Sequence, residues 1–371
     1  MEEISVMLKP ASSACNLRCR YCFYADIAEK RQVACFGTMK EEMAEKILQN
    51  LRDSMSPGST ITIAFQGGEP TLAGLPWYQK FVEMSGEILK DYHVHYALQT
   101  NATKLDDRWA VFLRDHHFLL GISMDGPSRY HNACRPDAQG GETYKRVMQS
   151  VELLRKYQVE FNILCTLTGE IARHPNQVWE WILKNQFQYV QFTPCLDELG
   201  TPGASRYALQ PQKFAPFYKR IFDLWLGELR QGRYRSIKLF DDVVNLLAFG
   251  VPTACGIHGR CQCQLVVESD GSAYPCDFYC VDRYRLGNLG ETPVMDLIGS
   301  DTAKAFLSRP RDNMIACKGC RYQNFCGGGC RRMQREVYCC PGEEYCGYRD
   351  FLDYAMPALQ QIAMDQRRYR R

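Results

Sequence analysis

Apolar residues alternate with other residues in short runs along the first half of the chain. The first run places Ile4, Val6 and Leu8 at every second position, a period typical of a β-strand. Similar runs follow at residues 60–65, 92–98, 118–123, 161–166 and 189–192. Segments with a helical spacing of apolar residues lie between them, at residues 41–53, 76–90, 106–115, 143–157 and 176–185. This alternation predicts a parallel sheet with right-handed crossovers, and about six repeats favour a partial barrel over a complete eight-fold one.

The second half of the chain has a different pattern. Amphipathic helices are expected at residues 210–230 and 239–247, and the composition changes abruptly after Gly250-Val251-Pro252. Residues 265–276 have the pattern of a β-hairpin, with Asp270-Gly271 at its tight turn. We therefore predict two domains, an α/β partial barrel over residues 1–235 and a cysteine-rich domain with a C-terminal helix over residues 236–371.

Composition narrows the class of protein. The 371 residues are 46% hydrophobic, which is ample for a buried core, and the formal net charge is only +3. No basic field points to nucleic acid and no apolar run approaches membrane-spanning length, so neither partner is expected. The N-terminus lacks the basic and apolar regions of a secretion signal. Nineteen cysteines in such a chain favour thiolate-bound metal in a reducing cytoplasm over disulfides.

Three cysteines follow the first predicted strand. Cys15, Cys19 and Cys22 are separated by three and then two residues. Three such thiols can hold three irons of a 4Fe-4S cube and leave the fourth iron open to another ligand. An open position is the mark of a catalytic metal site, whereas a site that is closed by protein ligands is structural. A zinc knuckle and three separate core thiols are the alternatives.

A second field of cysteines begins at Cys255. Its members are Cys255, Cys261, Cys263, Cys276, Cys280, Cys317, Cys320, Cys326, Cys330, Cys339, Cys340 and Cys346. The densest part has the spacing C-x2-C-x5-C-x3-C and ends at Cys330. A zinc ribbon is possible because a C-x2-C pair also suits tetrahedral zinc, but the N-terminal cysteines make an iron–sulfur protein the more coherent interpretation.

Further candidates lie after the predicted strands, where parallel barrels carry their chemistry. Gln66-Gly67-Gly68-Glu69-Pro70 allows a ligand to approach the backbone, although an ordinary turn would look alike. Ser123 could bind a ribose or cap a helix, and Arg135 could bind a carboxylate or be a surface arginine. Asp277, next to Cys276, could act as a general base, although most aspartates beside a turn accept backbone hydrogen bonds instead.

These motifs resemble those of one enzyme superfamily. Residues 15–22, with the aromatic Tyr21 before the last cysteine, resemble the radical S-adenosylmethionine (SAM) signature, and residues 66–70 resemble its GGEP motif. Residues 317–330 resemble the SPASM extension, which binds auxiliary iron–sulfur clusters. Over nearly its full length, including residues 65–74 and 274–279, the chain resembles an anaerobic sulfatase-maturating enzyme. Ala102 and Pro194 depart from the pattern of that group.

The resemblance implies a fold and a set of cofactors. The fold is a partial (β/α)6 radical SAM barrel followed by a cysteine-rich SPASM domain, and the cofactors are SAM and three 4Fe-4S clusters. The implied cluster ligands are Cys15, Cys19 and Cys22; Cys255, Cys261, Cys276 and Cys330; and Cys317, Cys320, Cys326 and Cys346. The positions expected to contact SAM or line its site are Tyr21, Gln66, Gly68, Ser123, Arg135 and Leu196. An exchange of an assigned ligand for Cys263, Cys339 or Cys340 stays open.

The resemblance also implies a reaction. A cysteine or serine in an unfolded sulfatase segment, within a motif such as Cys/Ser-x-Pro-x-Arg, is oxidised to formylglycine. A 5′-deoxyadenosyl radical removes a Cβ hydrogen, Asp277 takes the thiol or hydroxyl proton, and a second electron leaves through the clusters. Tyr24 is a weaker active-site candidate, and a flavodoxin or ferredoxin is the expected electron donor.

Two other functions remain open at the level of the sequence. The same parts serve enzymes that crosslink ribosomally made peptides, which often carry an additional leader-recognition domain. The first predicted strand begins almost at the N-terminus, so no room is expected for such a domain in front of it. A metal-stabilised module that binds a peptide without chemistry is an alternative of a different class. Iron content and SAM cleavage would distinguish that module from an enzyme.

Overall fold

The computed structural model describes residues 2–369. Its strands are β1 (Glu3–Leu8), β2 (Thr60–Phe65), β3 (His93–Thr100), β4 (Leu119–Ser123), β5 (Phe161–Leu167), β6 (Tyr189–Pro194), β7 (Ser236–Ile237), β8 (Val266–Val267), β9 (Ser272–Tyr274) and β10 (Gly287–Asn288). Its helices are α1 (Phe23–Glu29), α2 (Glu41–Ser54), α3 (Leu75–Ile88), α4 (Asp107–Asp115), α5 (Ser128–Cys134), α6 (Tyr144–Lys156), α7 (Pro175–Lys184), α8 (Pro211–Arg230), α9 (Lys238–Phe249), α10 (Val294–Ile298), α11 (Asp301–Ser308), α12 (Gln323–Cys326), α13 (Arg331–Met333) and α14 (Gly347–Tyr369).

Strands and helices alternate from β1 to β6 as the sequence predicts, which confirms the α/β class of this part of the chain. β2 has the predicted bounds. α4 begins one position late because Asp106 is its N-cap, and the Asp106 carboxylate accepts a hydrogen bond from the Trp109 amide at 2.9 Å. β3 and β6 continue past their predicted ends, to Thr100 and Pro194, because pairing with a neighbouring strand continues there.

The chain forms two compact units, each assembled from separate segments. Unit 1 comprises Met1–Ser123, Arg135–Phe161 and Cys263–Arg309. Its strands have the order β10-β9-β8-β1-β2-β3-β4, in which β8, β1, β2, β3 and β4 run parallel and β9 and β10 add antiparallel pairs. The sheet of unit 1 is therefore mixed.

The core of unit 1 follows from the pattern that predicts its strands. In β1 the side chains of Ile4, Val6 and Leu8 are buried, and those between them are more exposed. Phe65, at the end of β2, contacts three aromatic rings of α3 at centroid distances of 5.0 to 6.0 Å. Burial of these rings on one face of the sheet fixes α3 against β2.

The predicted hairpin is confirmed by β8 and β9, which pair antiparallel on either side of a turn at Gly271, where φ is +85°. Its attachment to the sheet was not predicted. β8 pairs in parallel with β1, with Met7 opposite Val266 and Leu8 opposite Val267. The residues that follow β1 and β8 are therefore neighbours at one edge of the sheet. The predicted domain boundary after residue 235 stays a prediction.

Unit 2 comprises Met124–Cys134, Asn162–Gln262 and Pro310–Arg371. Its strands β5, β6 and β7 are parallel and adjacent in that order. The two predicted amphipathic helices are α8 and α9, and α14 packs against both. Their shared core contains Phe222, Phe240 and Phe351, with ring centroids 5.2 Å apart for the first two and 5.8 Å for the last two. Within the described residues, no helix is long and apolar enough to cross a membrane.

Candidate active site and cysteine clusters

The loop after β1 carries Cys15, Cys19 and Cys22, which we call the cysteine triplet. All three thiols are partly exposed, and the loop ends where Cys22 becomes the N-cap of α1. The Asn101 side chain, just after β3, donates a hydrogen bond to the Asn16 side chain at 2.9 Å. The loop is thus held between the helix that follows it, α1, and the residues at the end of β3, two strands away in the sheet.

Each sulfur of the triplet accepts a hydrogen bond from an N–H group. The Leu17 amide donates to Cys15 Sγ at 3.4 Å, and the Ala25 amide donates to Cys22 Sγ at 3.4 Å. The Arg135 guanidinium donates to Cys19 Sγ at 4.0 Å. Hydrogen bonds to the sulfurs help to set the reduction potential of a thiolate-bound iron–sulfur cluster. The three N–H donors at the cysteine triplet therefore fit a site for such a cluster.

The glycine loop, residues 66–70, lies against the cysteine loop. The Gly68 amide donates to the Ser12 carbonyl at 2.9 Å, and the Glu69 amide donates to the Ala14 carbonyl at 2.8 Å. A Cβ atom on Gly68 would lie only 2.2 Å from the Ala14 carbonyl oxygen, so no larger residue fits without displacing the backbone. Close packing of the two loops is one reason for glycine here, and the predicted contact of Gly68 with SAM stays a prediction.

Glu69 joins the glycine loop to the end of β3. Its buried carboxylate accepts hydrogen bonds from the Thr71 amide at 3.0 Å, from the Thr71 and Thr100 hydroxyls at 2.6 Å each, and from the Asn101 amide at 2.7 Å. Burial raises the pKa of Glu69, and these four donors only partly offset that increase. The sequence predicted no role for this side chain.

The remaining candidates for SAM contact are mostly buried. Arg135 is 8% exposed and therefore is not a surface arginine, and its guanidinium carbon lies 5.5 Å from the centre of the Tyr21 ring. Ser123 ends β4 in unit 1, and Leu196 follows β6 in unit 2. The placement of Tyr21 beside Arg135 supports a common site, and the roles of all four residues stay predictions.

A buried ionic cluster, formed by Lys9, Arg31, Glu268 and Asp277, lies where β1 and β8 end. Lys9 Nζ is 2.7 Å from Asp277 Oδ1 and 3.7 Å from Glu268 Oε1. Arg31 Nη1 is 2.6 Å from Glu268 Oε1. None of the four residues is more than 7% exposed. Two cations therefore balance two anions, which reduces the large cost of burying charge.

Tyr24 is part of the surroundings of this ionic cluster. Its hydroxyl donates a hydrogen bond to Glu268 Oε1 at 2.5 Å, and Lys9 Nζ lies 3.6 Å from the centre of its ring. The Ser12 hydroxyl donates to the other Glu268 oxygen at 3.0 Å. Both carboxylate oxygens of Glu268 therefore accept hydrogen bonds, and Tyr24 is held beside Lys9.

Asp277 has a different environment from Glu268. It begins a 3-10 turn directly after Cys276, and its Oδ2 accepts a hydrogen bond from the Gln66 side chain at 3.3 Å. Lys9 Nζ lies 2.7 Å from the other oxygen, Oδ1, and compensates the carboxylate charge. A carboxylate oxygen has two lone pairs, so Oδ1 has room for a further hydrogen bond beside Lys9.

The charge states in the cluster follow from burial and from neighbours. Burial lowers the pKa of Lys9, but Asp277 and Cys280 raise it to well above its usual value. Burial raises the pKa of Glu268, but Lys9 and Arg31 outweigh burial and lower that pKa below its usual value. Burial raises the pKa of Cys280 to about 12 despite Lys9, whose Nζ is 3.6 Å from the sulfur. Lys9 and Glu268 are therefore charged near neutral pH, and Cys280 is a neutral thiol.

Three of the four cysteines implied for the second cluster, Cys255, Cys261 and Cys330, belong to unit 2. Residues 255–261 pack closely on residues 327–330. A Cβ atom on Gly256 would lie 2.9 Å from Cys330 Cα, and one on Gly259 would lie 2.4 Å from the Gly327 carbonyl oxygen. Cys276 belongs to unit 1, and its membership in this set stays a prediction.

The four cysteines implied for the third cluster line one cavity in unit 2. They are Cys317, Cys320, Cys326 and Cys346. The Gln334 side chain donates to Cys317 Sγ at 3.6 Å, and the Arg349 amide donates to Cys346 Sγ at 3.4 Å. Four thiols around a cavity, with donors directed at two of the sulfurs, fit a closed iron–sulfur cluster. Within residues 2–369, no three His, Cys, Asp or Glu side chains are arranged to hold a single metal ion.

Lys9, Arg31 and Glu268 were not predicted as functional residues. Two of them did carry a signal in the sequence, because Lys9 directly follows the apolar alternation of β1 and Glu268 directly follows two valines of the hairpin. A charged residue at the carboxyl end of a buried parallel strand is a candidate for the active site. Their proximity depends on the pairing of β8 with β1, which local sequence patterns do not specify.

Comparison with known proteins now places the chain in a class. The radical SAM superfamily matches residues 10–182, and the SPASM iron–sulfur cluster-binding domain matches residues 255–321. The protein is thus a radical SAM protein with an iron–sulfur SPASM domain, which confirms the predicted fold class. A cysteine-type anaerobic sulfatase-maturating enzyme of Clostridium perfringens is 39% identical over 98% of this chain and 99% of that protein. The chain belongs to the anaerobic sulfatase-maturating enzymes, the radical SAM enzymes that generate formylglycine.

Other relatives and solved structures agree with this assignment. A serine-type anaerobic sulfatase-maturating enzyme of Bacteroides thetaiotaomicron is 27% identical over 95% of this chain and 90% of that protein. The structure of native anSMEcpe with bound AdoMet and Cp18Cys peptide has 38% identity and a TM-score of 0.89, and covers 98% of this chain and 99% of that chain. Streptococcus suis SuiB bound to S-adenosylmethionine, at 16% identity and a TM-score of 0.60 over 88% of this chain and 72% of that chain, shares the fold. Family membership therefore favours sulfatase maturation over the peptide-crosslinking and binding-module alternatives.

Proposed function

We propose that this protein oxidises a cysteine in an unfolded sulfatase segment to formylglycine. The observation that carries the proposal is 39% identity with a cysteine-type sulfatase-maturating enzyme over 98% of the chain. Serine-type relatives are 27% and 28% identical, so cysteine is the proposed substrate residue. A Cys peptide bound to the related structure supports the same choice. The substrate motif is expected to be of the Cys-x-Pro-x-Arg type.

Cys15, Cys19 and Cys22 would hold a 4Fe-4S cluster and leave one iron without a protein ligand. With SAM bound, the cluster would supply the radical chemistry that the removal of a Cβ hydrogen from the substrate requires. Arg135 and Tyr21 would contact the cofactor, and the Gly68 backbone would bind its amino group. Ser123 and Leu196 would complete the site, with Gln66 at its mouth.

Asp277 is the proposed general base. Its Oδ1 would accept the proton of the substrate thiol, while Lys9, at 2.7 Å, balances the carboxylate charge until that transfer. Gln66 fixes Oδ2 from the other side. Lys9 is a positioning residue in this scheme, since it acts through Asp277, and Tyr24 contributes by holding Lys9 in place.

The conversion is a two-electron oxidation. The substrate loses one hydrogen atom from Cβ, one proton from sulfur and one further electron, which gives a thioaldehyde that water converts to the aldehyde with loss of hydrogen sulfide. The two four-cysteine sets would hold auxiliary clusters, because four-thiolate ligation leaves no open iron and suits electron transfer. A flavodoxin or ferredoxin is the proposed external electron donor, and the cytoplasm is the proposed location.

The test is anaerobic incubation of the reconstituted protein with SAM, a reductant and a Cys-x-Pro-x-Arg peptide, followed by mass spectrometry. A formylglycine peptide with a matching amount of 5′-deoxyadenosine is the expected result. The same peptide with serine in place of cysteine is the matched control, and it is expected to react more slowly. Deoxyadenosine without a changed peptide would refute the proposed substrate, and the absence of both products from an iron-replete sample would refute the enzymatic function.

A further inference from the structure

A fifth thiol lines the cavity of the third cysteine set. Besides Cys317, Cys320, Cys326 and Cys346, the wall of the cavity includes Cys339. Cys339 is 1% exposed and packs with Met314 and Ala316. A four-iron cube takes one thiolate for each iron, so this cavity offers one more thiol than the cube requires.

The backbone explains why Cys339 faces the cavity. Residues 334–338 form a π-helical turn, and the Cys339 amide donates to the Gln334 carbonyl at 2.9 Å at the end of that turn. The chain then reverses over residues 340–345, and Cys339 forms an isolated antiparallel bridge with Cys346. Residues directly opposite each other in an antiparallel pair project their side chains to the same face. Both thiols are thereby directed at the same cavity.

The contacts of Cys339 single out its possible exchange partner. Cys317 and Cys346 pack against the small buried cluster that contains Cys339. Cys317 belongs to the C-x2-C pair with Cys320, whereas Cys346 lies opposite Cys339 across the bridge and just before α14. Replacement of Cys346 therefore leaves the C-x2-C pair intact, whereas replacement of Cys317 would break that local ligand pair.

We propose that Cys339 is an alternative ligand of this auxiliary cluster and can take the place of Cys346. The inference rests on the proposed ligation of this cavity by Cys317, Cys320, Cys326 and Cys346. In the exchange, the iron–sulfur bond to Cys346 breaks and one to Cys339 forms. The proton of the incoming thiol passes to the leaving thiolate, so the exchange involves no oxidation or reduction.

The neighbouring Cys340 provides a matched control. It is next to Cys339 in sequence, but its sulfur accepts a hydrogen bond from the Gln212 side chain at 3.4 Å, and it is absent from the cavity wall. Substitution of Cys340 by alanine removes one sulfur from the same segment, residues 339–346, without removing a thiol from the cavity.

The experiment measures iron and sulfide per chain after anaerobic reconstitution, together with electron paramagnetic resonance of the reduced protein. The variants are Cys346→Ala, Cys346→Ala/Cys339→Ala, Cys346→Ala/Cys340→Ala and Cys320→Ala. We expect Cys346→Ala and Cys346→Ala/Cys340→Ala to retain wild-type iron. Cys346→Ala/Cys339→Ala and Cys320→Ala are expected to lose about four irons, one cluster, per chain.

Two results would overturn the inference. One is loss of about four irons from Cys346→Ala alone, as in Cys320→Ala. The other is unchanged iron in Cys346→Ala/Cys339→Ala, since the retained cluster would then not depend on Cys339. If Cys320→Ala retains as much iron as the wild type, the proposed cluster ligands are refuted instead. Failure of the Cys339 inference and failure of the proposed ligation are therefore distinguishable. Circular dichroism of each variant identifies any loss of iron that is caused by unfolding.

Discussion

At the scale of single residues, Lys9 and Asp277 form the pair on which the proposed proton transfer depends. The Lys9 side chain is fully buried and the Asp277 side chain is 11% exposed, so their 2.7 Å ion pair is little screened by water. Glu268 forms ion pairs with both Lys9 and Arg31. Within the described residues, the ion pair of Asp277 is with Lys9. Substitutions at the two positions should therefore affect the product more than the cofactor.

Asp277→Asn should reduce formylglycine formation by about 100-fold or more, because an amide cannot take the thiol proton in the transition state. SAM cleavage should persist, so the ratio of 5′-deoxyadenosine to product should rise. Both products are quantified by mass spectrometry from one anaerobic reaction. A normal product yield would exclude Asp277 from the mechanism.

Lys9→Met should lower product formation by about tenfold to 100-fold, since an unpaired buried carboxylate moves or recruits water and a small displacement of a catalytic group is costly. The iron content should stay at the wild-type value, which a merely misfolded variant would not achieve. Lys80→Met, at an exposed ion pair with Glu83, is the control and should have wild-type activity. Equal coupling of SAM cleavage to product in Lys9→Met and wild type would show that Lys9 does not position the base.

At the scale of elements, the active-site candidates are held by loops that follow parallel strands. The cysteine loop follows β1, the glycine loop follows β2, and Glu69 connects the glycine loop to the end of β3. The hairpin adds the fourth part, because β8 lies beside β1 and brings Glu268 to Lys9. A substitution that displaces one of these loops should therefore displace the loop beside it.

Gly68→Ala should displace the cysteine loop, because the new methyl group would lie 2.2 Å from the Ala14 carbonyl oxygen. We expect the variant to lose about four irons per chain after reconstitution and to cleave little SAM. Gly86→Ala is the matched control, since a Cβ atom at that position in α3 meets nothing within 4 Å. The control should have wild-type iron and be more stable by up to about 1 kcal/mol. Wild-type iron in Gly68→Ala would contradict the proposed dependence of the cluster on this contact.

Glu268→Gln should destabilise the junction of the hairpin with β1 by about 3 kcal/mol or more at neutral pH, because Lys9 and Arg31 lose a buried partner. Lys9 and Arg31 hold the pKa of Glu268 below its usual value in the folded state, so the wild-type advantage is present above the unfolded-state pKa and is lost as the pH falls through the lower folded-state pKa. Thermal unfolding midpoints of both proteins between pH 3 and pH 8 measure this difference. A midpoint difference that stays constant across the range would show that the Glu268 charge does not stabilise the junction.

At the scale of the whole molecule, the cysteines that are proposed to ligate iron–sulfur clusters are distributed along the chain. The cysteine triplet lies in unit 1, the third cysteine set lies in unit 2, and the family resemblance extends over 98% of the sequence. Because short segments such as residues 310–330 contain little regular structure, metal binding should contribute to their folding.

Cys326→Ala should lose about four irons per chain and unfold at a lower temperature than the wild type, since metal binding and folding are coupled. Cys35→Ala removes an exposed thiol that no cluster is expected to use, and it should leave both quantities unchanged. Iron analysis and thermal unfolding of the reconstituted proteins provide the comparison. Unchanged iron in Cys326→Ala would remove this residue from the proposed third cluster.

The sequence by itself determined the order of strands and helices from β1 to β6, the turn at Gly271 and the family. Each of these is encoded locally, in the alternation of apolar positions, in a turn dipeptide or in the spacing of cysteines. The tertiary structure decided that β8 pairs with β1, that Lys9 and Arg31 meet Glu268, and that Cys339 shares a cavity with Cys346. Strand pairing and charge burial join residues that are far apart in the chain, and their energies depend on distances that no local pattern contains.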